Sequence, residues 1–323
     1  MSGLKWDPEY EAWRNAANPP TPPVYASALA LREGNNRLLN DFFASLPFPA
    51  EVEQSRHAVR SHDGAEITVT RFATAAHRHA DSPQPALVFV FGGGMVSGSV
   101  EIFSKQVAAE VAASGVQFFA VGYRVAPEHP APAAVEDVYA GLRWLSEHAA
   151  ELGVDSARIG ITGVSAGGGI AAGAALLARD RGLSPPLAKQ VLIYPMLDDR
   201  TCTRIPPDHP LVPFLMWTRE NNELGWGAYV GKDKAGRPEA DVSPYAAPGR
   251  AEDLSGLPST YLDVGTLDLF RDENAEYAAR LAAANVDVEF HLYPGLPHGF
   301  DYLFEIGPSK RAIENRIRAY KSF

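Results

Sequence analysis

The chain has 323 residues, enough for two units of the usual ~150-residue size or for one large α/β unit with an insertion. With 46% hydrophobic and 21% charged residues, and 28 Gly and 26 Pro scattered along it, the composition excludes collagen-like and disordered chains. The formal net charge of −10 argues against a phosphate backbone as partner, so no nucleic acid is expected, and the single cysteine, Cys202, excludes an internal disulfide framework and a cysteine-based zinc cluster.

Residues 1–50 are rich in Pro, Trp and polar side chains and follow no strand or helix rhythm. Lys5, Asp7 and Glu9 stand where a signal peptide has its apolar core, which predicts a cytoplasmic protein. No run reaches the ~18 apolar residues of a membrane helix, and no membrane contact is expected. An antiparallel strand is predicted over 61–73, where Ile67, Val69 and Arg71 alternate with Thr68 and Thr70. Short apolar runs rich in β-branched and aromatic residues then predict buried strands at 86–91, 117–123, 159–164, 190–194, 259–264 and 288–293. Helices are predicted between them at 105–114, 135–149, 170–181 and 271–284. Strands alternating with helices imply a mainly parallel sheet covered on both faces. The stretch 197–242 interrupts this rhythm for too long to be a loop and predicts an inserted lid carrying Trp217 and Trp226.

The strongest chemical signal is Gly163-Val164-Ser165-Ala166-Gly167, a G-x-S-x-G between a predicted strand and a predicted helix. A glycine-rich packing turn is the plain alternative, but a serine at such a turn is held strained, with small neighbours and its hydroxyl projecting at a helix start. Phe91-Gly92-Gly93-Gly94-Met95 ends another strand, and three glycines let backbone N–H groups turn toward a developing oxyanion. The Lys and Ser/Thr of a phosphate loop do not follow it, nor does a dinucleotide fingerprint. A serine nucleophile needs a base and an orienting acid, in the chain order Ser, acid, His for an α/β-hydrolase. His298, in Pro294-Gly295-Leu296-Pro297-His298-Gly299, and Asp268, in Gly265-Thr266-Leu267-Asp268, both fall just past strand ends, where open α/β sheets place their sites. Asp272 and Glu273 read as acidic residues of a helix first turn, and Asp263 as a satisfied buried acid. The other eight histidines lie mostly in polar stretches and read as solvated. No H-E-x-x-H spacing occurs, so neither a metal nor another cofactor is expected, and Cys202 lacks an activating context.

Tyr123-Arg124-Val125-Ala126-Pro127-Glu128-His129-Pro130-Ala131-Pro132-Ala133-Ala134-Val135-Glu136-Asp137 and Val242-Ser243-Pro244-Tyr245-Ala246-Ala247-Pro248, together with the serine and glycine motifs, resemble the bacterial and fungal hormone-sensitive-lipase-like family of esterases. The resemblance implies an α/β-hydrolase fold, a mainly parallel central sheet flanked by helices, with a helical cap. It divides the chain into cap residues 1–50, core 51–196, cap insertion 197–242 and core 243–323. It further implies Ser165 as nucleophile, His298 as general base, Asp268 as its orienter, and the amides of Gly93, Gly94 and Ala166 as the oxyanion hole. Small esters of short to medium acyl chains are the implied substrates, with Phe91, Met95, Met216 and Trp217 as candidate pocket residues, and a homodimer through a sheet edge is compatible with the late strand 288–293. The Pro-rich 126–132 segment reads as architectural. Lactones, amides and acyl acceptors are alternative partners for the same chemistry; a non-catalytic receptor would have no need of His298.

Three positions depart from the family pattern. Phe91 replaces a His before the glycines, Val164 an acid before the serine, and Gly122 an Asp before Tyr-Arg. The expectation is that a polar network has been exchanged for apolar packing, because losing one partner alone would strand a buried polar group at a cost of ~1–3 kcal/mol.

Overall fold

A computed structural model describes residues 3–323. Eight strands form one sheet in the order β1-β2-β4-β3-β5-β6-β7-β8. The chain begins with two helices, α1 (Pro8–Ala17) and α2 (Ala28–Ala44), capped by Asp7 and Ser27. Strands β1 (Val52–Arg60) and β2 (Glu66–Thr74) pair antiparallel, a short helix α3 (Ala75–Arg78) follows, and β2 pairs antiparallel with β4 (Gln117–Gly122). From there the sheet is parallel: β3 (Gln84–Val90) lies between β4 and β5 (Val154–Val164), followed outward by β6 (Lys189–Ile193), β7 (Ser259–Gly265) and β8 (Val288–Tyr293).

The crossovers are α4 (Val100–Ser114), α5 (Ala133–Glu147), α6 (Ala166–Asp180) and α9 (Arg271–Ala283), with α10 (Gly307–Tyr320) closing the chain. Helix faces follow from the alternation of β4. Phe118 packs edge-on against Tyr320 of α10 at 5.3 Å, whereas the next residue, Phe119, meets Trp144 of α5. Successive strand side chains point to opposite faces, so α10 and its neighbour α4 cover one face and α5 with α6 the other. Between the layers, Val88, Phe89, Phe118, Phe119, Ile161 and Val191 are fully buried.

Two expectations are corrected here. Strand β1 was not anticipated: most of its side chains face solvent and only Val52 and Val59 are buried, so this edge strand carries no alternation to read. Strand β5 begins five residues before the predicted 159, because the register shifts between Gln84 and Ala86 where Asp155–Arg158 bulge out, Arg158 pairing with Asp155 at 2.8 Å. The region 197–242 contains α7 (Thr201–Arg204), a single 3-10 turn and α8 (Arg219–Val230), and α8 packs against α2. Tyr25 N–H donates to Asn221 Oδ1, and Asn221 Nδ2 donates to the Pro23 carbonyl at 2.8 Å, which ties the two helical segments together.

Among the described residues, no helix is long and apolar enough to cross a membrane. None of their His, Cys, Asp and Glu side chains group in threes or more to hold a metal ion.

Candidate active site

Ser165 sits at the turn from β5 into α6 with φ 57° and ψ −121°, a strained left-handed-side conformation for a side-chain-bearing residue. Its backbone is pinned on both sides: its N–H donates to the Ile193 carbonyl at 2.9 Å, and its carbonyl accepts from Met196 at 3.0 Å and Gly169 at 3.1 Å. The flanking glycines are required by contact. A Cβ on Gly163 would stand 2.3 Å from the Gly167 carbonyl oxygen, and one on Gly167 would stand 2.2 Å from the carbonyl oxygens of Val90 and Phe91.

Asp268 and His298 come from the loops after β7 and β8, and these loops are knitted together. Leu267 N–H donates to the Leu296 carbonyl at 2.9 Å, Thr266 N–H to the Tyr293 carbonyl at 2.8 Å, and Gly295 N–H to Thr266 Oγ1 at 2.7 Å. Gly265 admits no side chain, since a Cβ there would lie 2.0 Å from the Leu296 oxygen. The buried Asp268 accepts from Phe270 N–H at 2.9 Å and faces His298 Nδ1 at 2.7 Å; His298 Nε2 lies 2.9 Å from Ser165 Oγ. With Asp268 ionised, the ring's Nδ1 carries the hydrogen and Nε2 is the acceptor for the serine hydroxyl. Tyr194 at 4.7 Å and Phe270 at 5.1 Å approach the imidazole edge-on and hold it in place. The N-terminal segment abuts this loop, Asp7 N–H donating to the Gly295 carbonyl at 2.9 Å.

Opposite the histidine, the loop after β3 turns through Gly93 (φ 133°), Gly94 (φ 61°) and Met95 (φ 66°). Among the described residues, the amides of Gly93, Gly94 and Ala166 donate to no acceptor within the chain. Gly94 is also where Trp217 arrives from the 197–242 region: a Cβ there would stand 2.5 Å from Trp217 Cη2. The Trp217 indole N–H donates to Asn222 Oδ1 at 3.1 Å, and the buried Asn222 in turn donates to Cys202 Sγ at 3.3 Å. Cys202 is thereby a packing residue, its thiol pushed up to about 11 by burial.

Phe91 is placed differently from the expectation of a pocket residue. It is 2% exposed, its ring stacked on Tyr123 at 4.0 Å and 13° and pressed against Gly98, while the Tyr123 hydroxyl donates to the Phe91 carbonyl at 2.8 Å. Apolar neighbours claim the ring, so it supports the glycine loop from beneath. Met95 is likewise buried, and Met216 and Trp217 are half-buried.

Asp263 is a satisfied buried acid, paired with Arg316 at 2.6 Å, and Arg316 also bonds Asp301, which accepts from the Tyr194 hydroxyl at 2.8 Å. The Pro-rich segment is architectural, anchored by Arg124 to Asp137 at 2.8 Å and Asp63 at 2.7 Å, and by Ala126 N–H to the Met95 carbonyl at 3.0 Å.

Two other readings change. Glu273 is more than a helix-start acid: it is buried, accepts from the Leu197 N–H at 2.6 Å and from the Thr201 hydroxyl, and desolvation raises its pKa well above the usual carboxylate range. It fixes the chain as it leaves β6, and no local pattern signals that role. His77 is also buried rather than solvated, its Nδ1 accepting from Thr74 N–H at 3.0 Å and its Nε2 facing the Gly115 carbonyl at 2.8 Å; burial lowers its pKa.

Residues 87–302 match the family model described as alpha/beta hydrolase fold. Esterase LipI of Mycobacterium tuberculosis is 36% identical over 233 residues, which are 72% of this chain and 70% of that protein. Carboxylesterase NlhH of the same species is 38% identical over 222 residues, 67% of this chain and 66% of that one. Among solved structures, a bacterial heroin esterase superposes with a TM-score of 0.86 at 35% identity, covering 98% of this chain and 97% of its own. An esterase from the archaeon Pyrobaculum calidifontis superposes with a TM-score of 0.81 at 28% identity, covering 99% of both. The chain therefore belongs to the α/β-hydrolase family, in its hormone-sensitive-lipase-like branch of carboxylic ester hydrolases.

Proposed function

We propose that this protein cleaves small carboxylic esters through an acyl-enzyme on Ser165. One observation carries the reading: Ser165 Oγ lies 2.9 Å from His298 Nε2, and His298 Nδ1 lies 2.7 Å from the buried Asp268. Ser165 Oγ attacks the ester carbonyl carbon while its proton passes to His298 Nε2. The negative charge that develops on the carbonyl oxygen meets the amides of Gly93, Gly94 and Ala166, which have no competing acceptor among the described residues. Collapse of the tetrahedral intermediate breaks the bond to the alcohol oxygen, which leaves with the proton from Nε2. Water then deacylates the serine by the same steps, His298 removing its proton. Asp268 keeps the ring in the required tautomer throughout.

Residues 1–50 and 197–242 act in this reading as two parts of one cap over the core segments 51–196 and 243–323, and Trp217 over Gly94 sets a short to medium limit on the acyl chain. Strand β8 is a sheet edge, with Leu292 of that strand 41% exposed, and is the surface through which two copies would pair.

The test is hydrolysis of p-nitrophenyl esters from acetate to decanoate by the wild type and Ser165→Ala. The expected result is activity greatest on the shorter chains and lost by at least about 10³-fold in the variant. Activity that survives in Ser165→Ala would overturn the assignment, and faster ester exchange than hydrolysis in the presence of an added alcohol would make the enzyme an acyltransferase.

A further inference from the structure

The carbonyl of Gly93 accepts from three donors: Val96 N–H at 3.2 Å, Ser97 N–H at 3.0 Å and the Ser97 hydroxyl at 2.7 Å. A peptide group is planar and trans, so fixing a carbonyl also fixes the N–H of the next residue, which points the opposite way. Holding Gly93 oxygen therefore aims the Gly94 amide. The Ser97 hydroxyl has one proton to give, and its direction is set from outside the loop. Asn35 Nδ2 donates to Ser97 Oγ at 2.7 Å, which occupies the oxygen and leaves the hydroxyl proton to the Gly93 carbonyl. Asn35 belongs to α2, and the same helix grips the loop at two more points, Asn36 Oδ1 accepting from Gly98 N–H at 2.8 Å and Arg32 donating to the Val96 carbonyl at 2.6 Å.

We propose that Asn35 and Ser97 are positioning residues for the oxyanion hole, acting as a directed relay from the Asn35 amide to the Ser97 hydroxyl to the Gly93 carbonyl. Helix α2 is then a working part of the site and more than a cover for it. The inference rests on the acyl-enzyme reading above, in which the Gly94 amide is one of the donors.

The relay makes a prediction that depends on hydrogen-bond direction and not on size. Asn35→Asp replaces a donor with an isosteric, negatively charged acceptor that draws the Ser97 proton away from Gly93, whereas Asn35→Ala leaves the serine free to keep its bond to Gly93. Ser97→Ala, which removes the same hydroxyl without adding charge, separates the lost bond from the added charge. Steady-state hydrolysis of p-nitrophenyl butyrate should show kcat about tenfold lower for Asn35→Asp and for Ser97→Ala, with KM within about twofold of wild type and a loss of no more than about threefold for Asn35→Ala. Urea unfolding of each variant separates this from a stability effect, which would rank the variants by midpoint instead. Asn35→Asp with a kcat within twofold of wild type, or equal to that of Asn35→Ala, overturns the relay. Asn35 is only half-buried, so the Asn35 pair decides the matter even where Ser97→Ala does not fold. Failure of the relay is distinct from failure of the mechanism: the first leaves Ser165→Ala inactive, and the second leaves it active.

Discussion

Restoring the family's histidine in front of the glycine loop should damage this protein. Phe91 is 2% exposed, stacked on Tyr123 at 4.0 Å, flanked by Phe103 at 6.2 Å, and pressed against Gly98, so Phe91→His places an imidazole among apolar surfaces. Three costs add. Burying a whole phenyl ring stabilises by roughly 1.5–3 kcal/mol, of which the smaller, more polar imidazole forfeits about half. The aromatic pair contributes roughly 0.5–1.5 kcal/mol beyond area, and part of that is lost. A ring nitrogen without a partner costs roughly 1–3 kcal/mol, and both Val164 and Gly122, where the family carries acids, offer it none. The sum centres on about 3 kcal/mol, against about 1 kcal/mol for Phe91→Leu, which keeps the site apolar. Urea unfolding at pH 8 with an unchanged slope measures both, and kcat on p-nitrophenyl butyrate should fall in step because the ring underlies the glycine loop. A Phe91→His protein as stable as wild type within 0.5 kcal/mol, or one that gains both stability and activity, refutes the idea that apolar packing has replaced a polar network here.

The remaining expectations test other parts of the structure. Gly94→Ala should lower kcat at least about tenfold, because its Cβ would lie 2.5 Å from Trp217 Cη2; Gly115→Ala, at a similar φ of 68° with nothing within 4 Å, should cost only strain of about 1 kcal/mol and leave kcat unchanged. Glu110 lines a cavity of about 230 Å³, its Oε2 meets no partner among the described residues, and burial pushes its carboxyl up to about 7. A raised acid stabilises the fold below the unfolded value near 4.5 and loses that contribution as pH climbs to about 7, so Glu110→Gln should gain about 1–3 kcal/mol over wild type at pH 8 and little at pH 4.5, measured by urea midpoints. Arg316→Leu leaves Asp263 and Asp301 buried without their cation and should cost roughly 3–5 kcal/mol, measured by urea midpoints. Trp217→Ala should lengthen the tolerated acyl chain, seen as a higher kcat/KM for p-nitrophenyl decanoate relative to butyrate; an unchanged ratio removes Trp217 from the chain-length limit.

Much of the fold was legible because a parallel sheet buried on both faces writes itself as apolar runs. The runs at 86–91, 117–123 and 288–293 fall on β3, β4 and β8 with ends within two residues, since each of these strands spends its length between helix layers or at an edge shielded by one. Where a strand leaves that environment the signal fades. Most side chains of β1 face water, and the first part of β5 is bent away from its neighbour by a bulge. β1 is held by its hairpin pairing with β2 and the start of β5 by Gln84 of β3, backbone bonds to which side-chain type contributes little.

The candidate site divides along the same physical line. Ser165, Asp268, His298 and the glycines stand at the points where an apolar run ends, and a strained or crowded turn restricts the residue types allowed there: a side chain at Gly163, Gly167 or Gly265 would meet backbone oxygen at 2.0–2.3 Å. Such restrictions are local and leave a motif. The groups that hold those turns in place are under no local restriction. Asn35 reaches Ser97 across 62 positions and Glu273 reaches the Leu197 amide across 76, and each is one polar residue among others on its helix. Their roles depend on the orientation of a single donor or acceptor, which packing decides and periodicity does not record. That difference also separates the consequences of mutation. A change at a motif glycine forces atoms to overlap and perturbs the fold and the chemistry together, whereas exchanging donor for acceptor at Asn35 preserves shape and acts on the site through hydrogen-bond direction and charge, without displacing the packing.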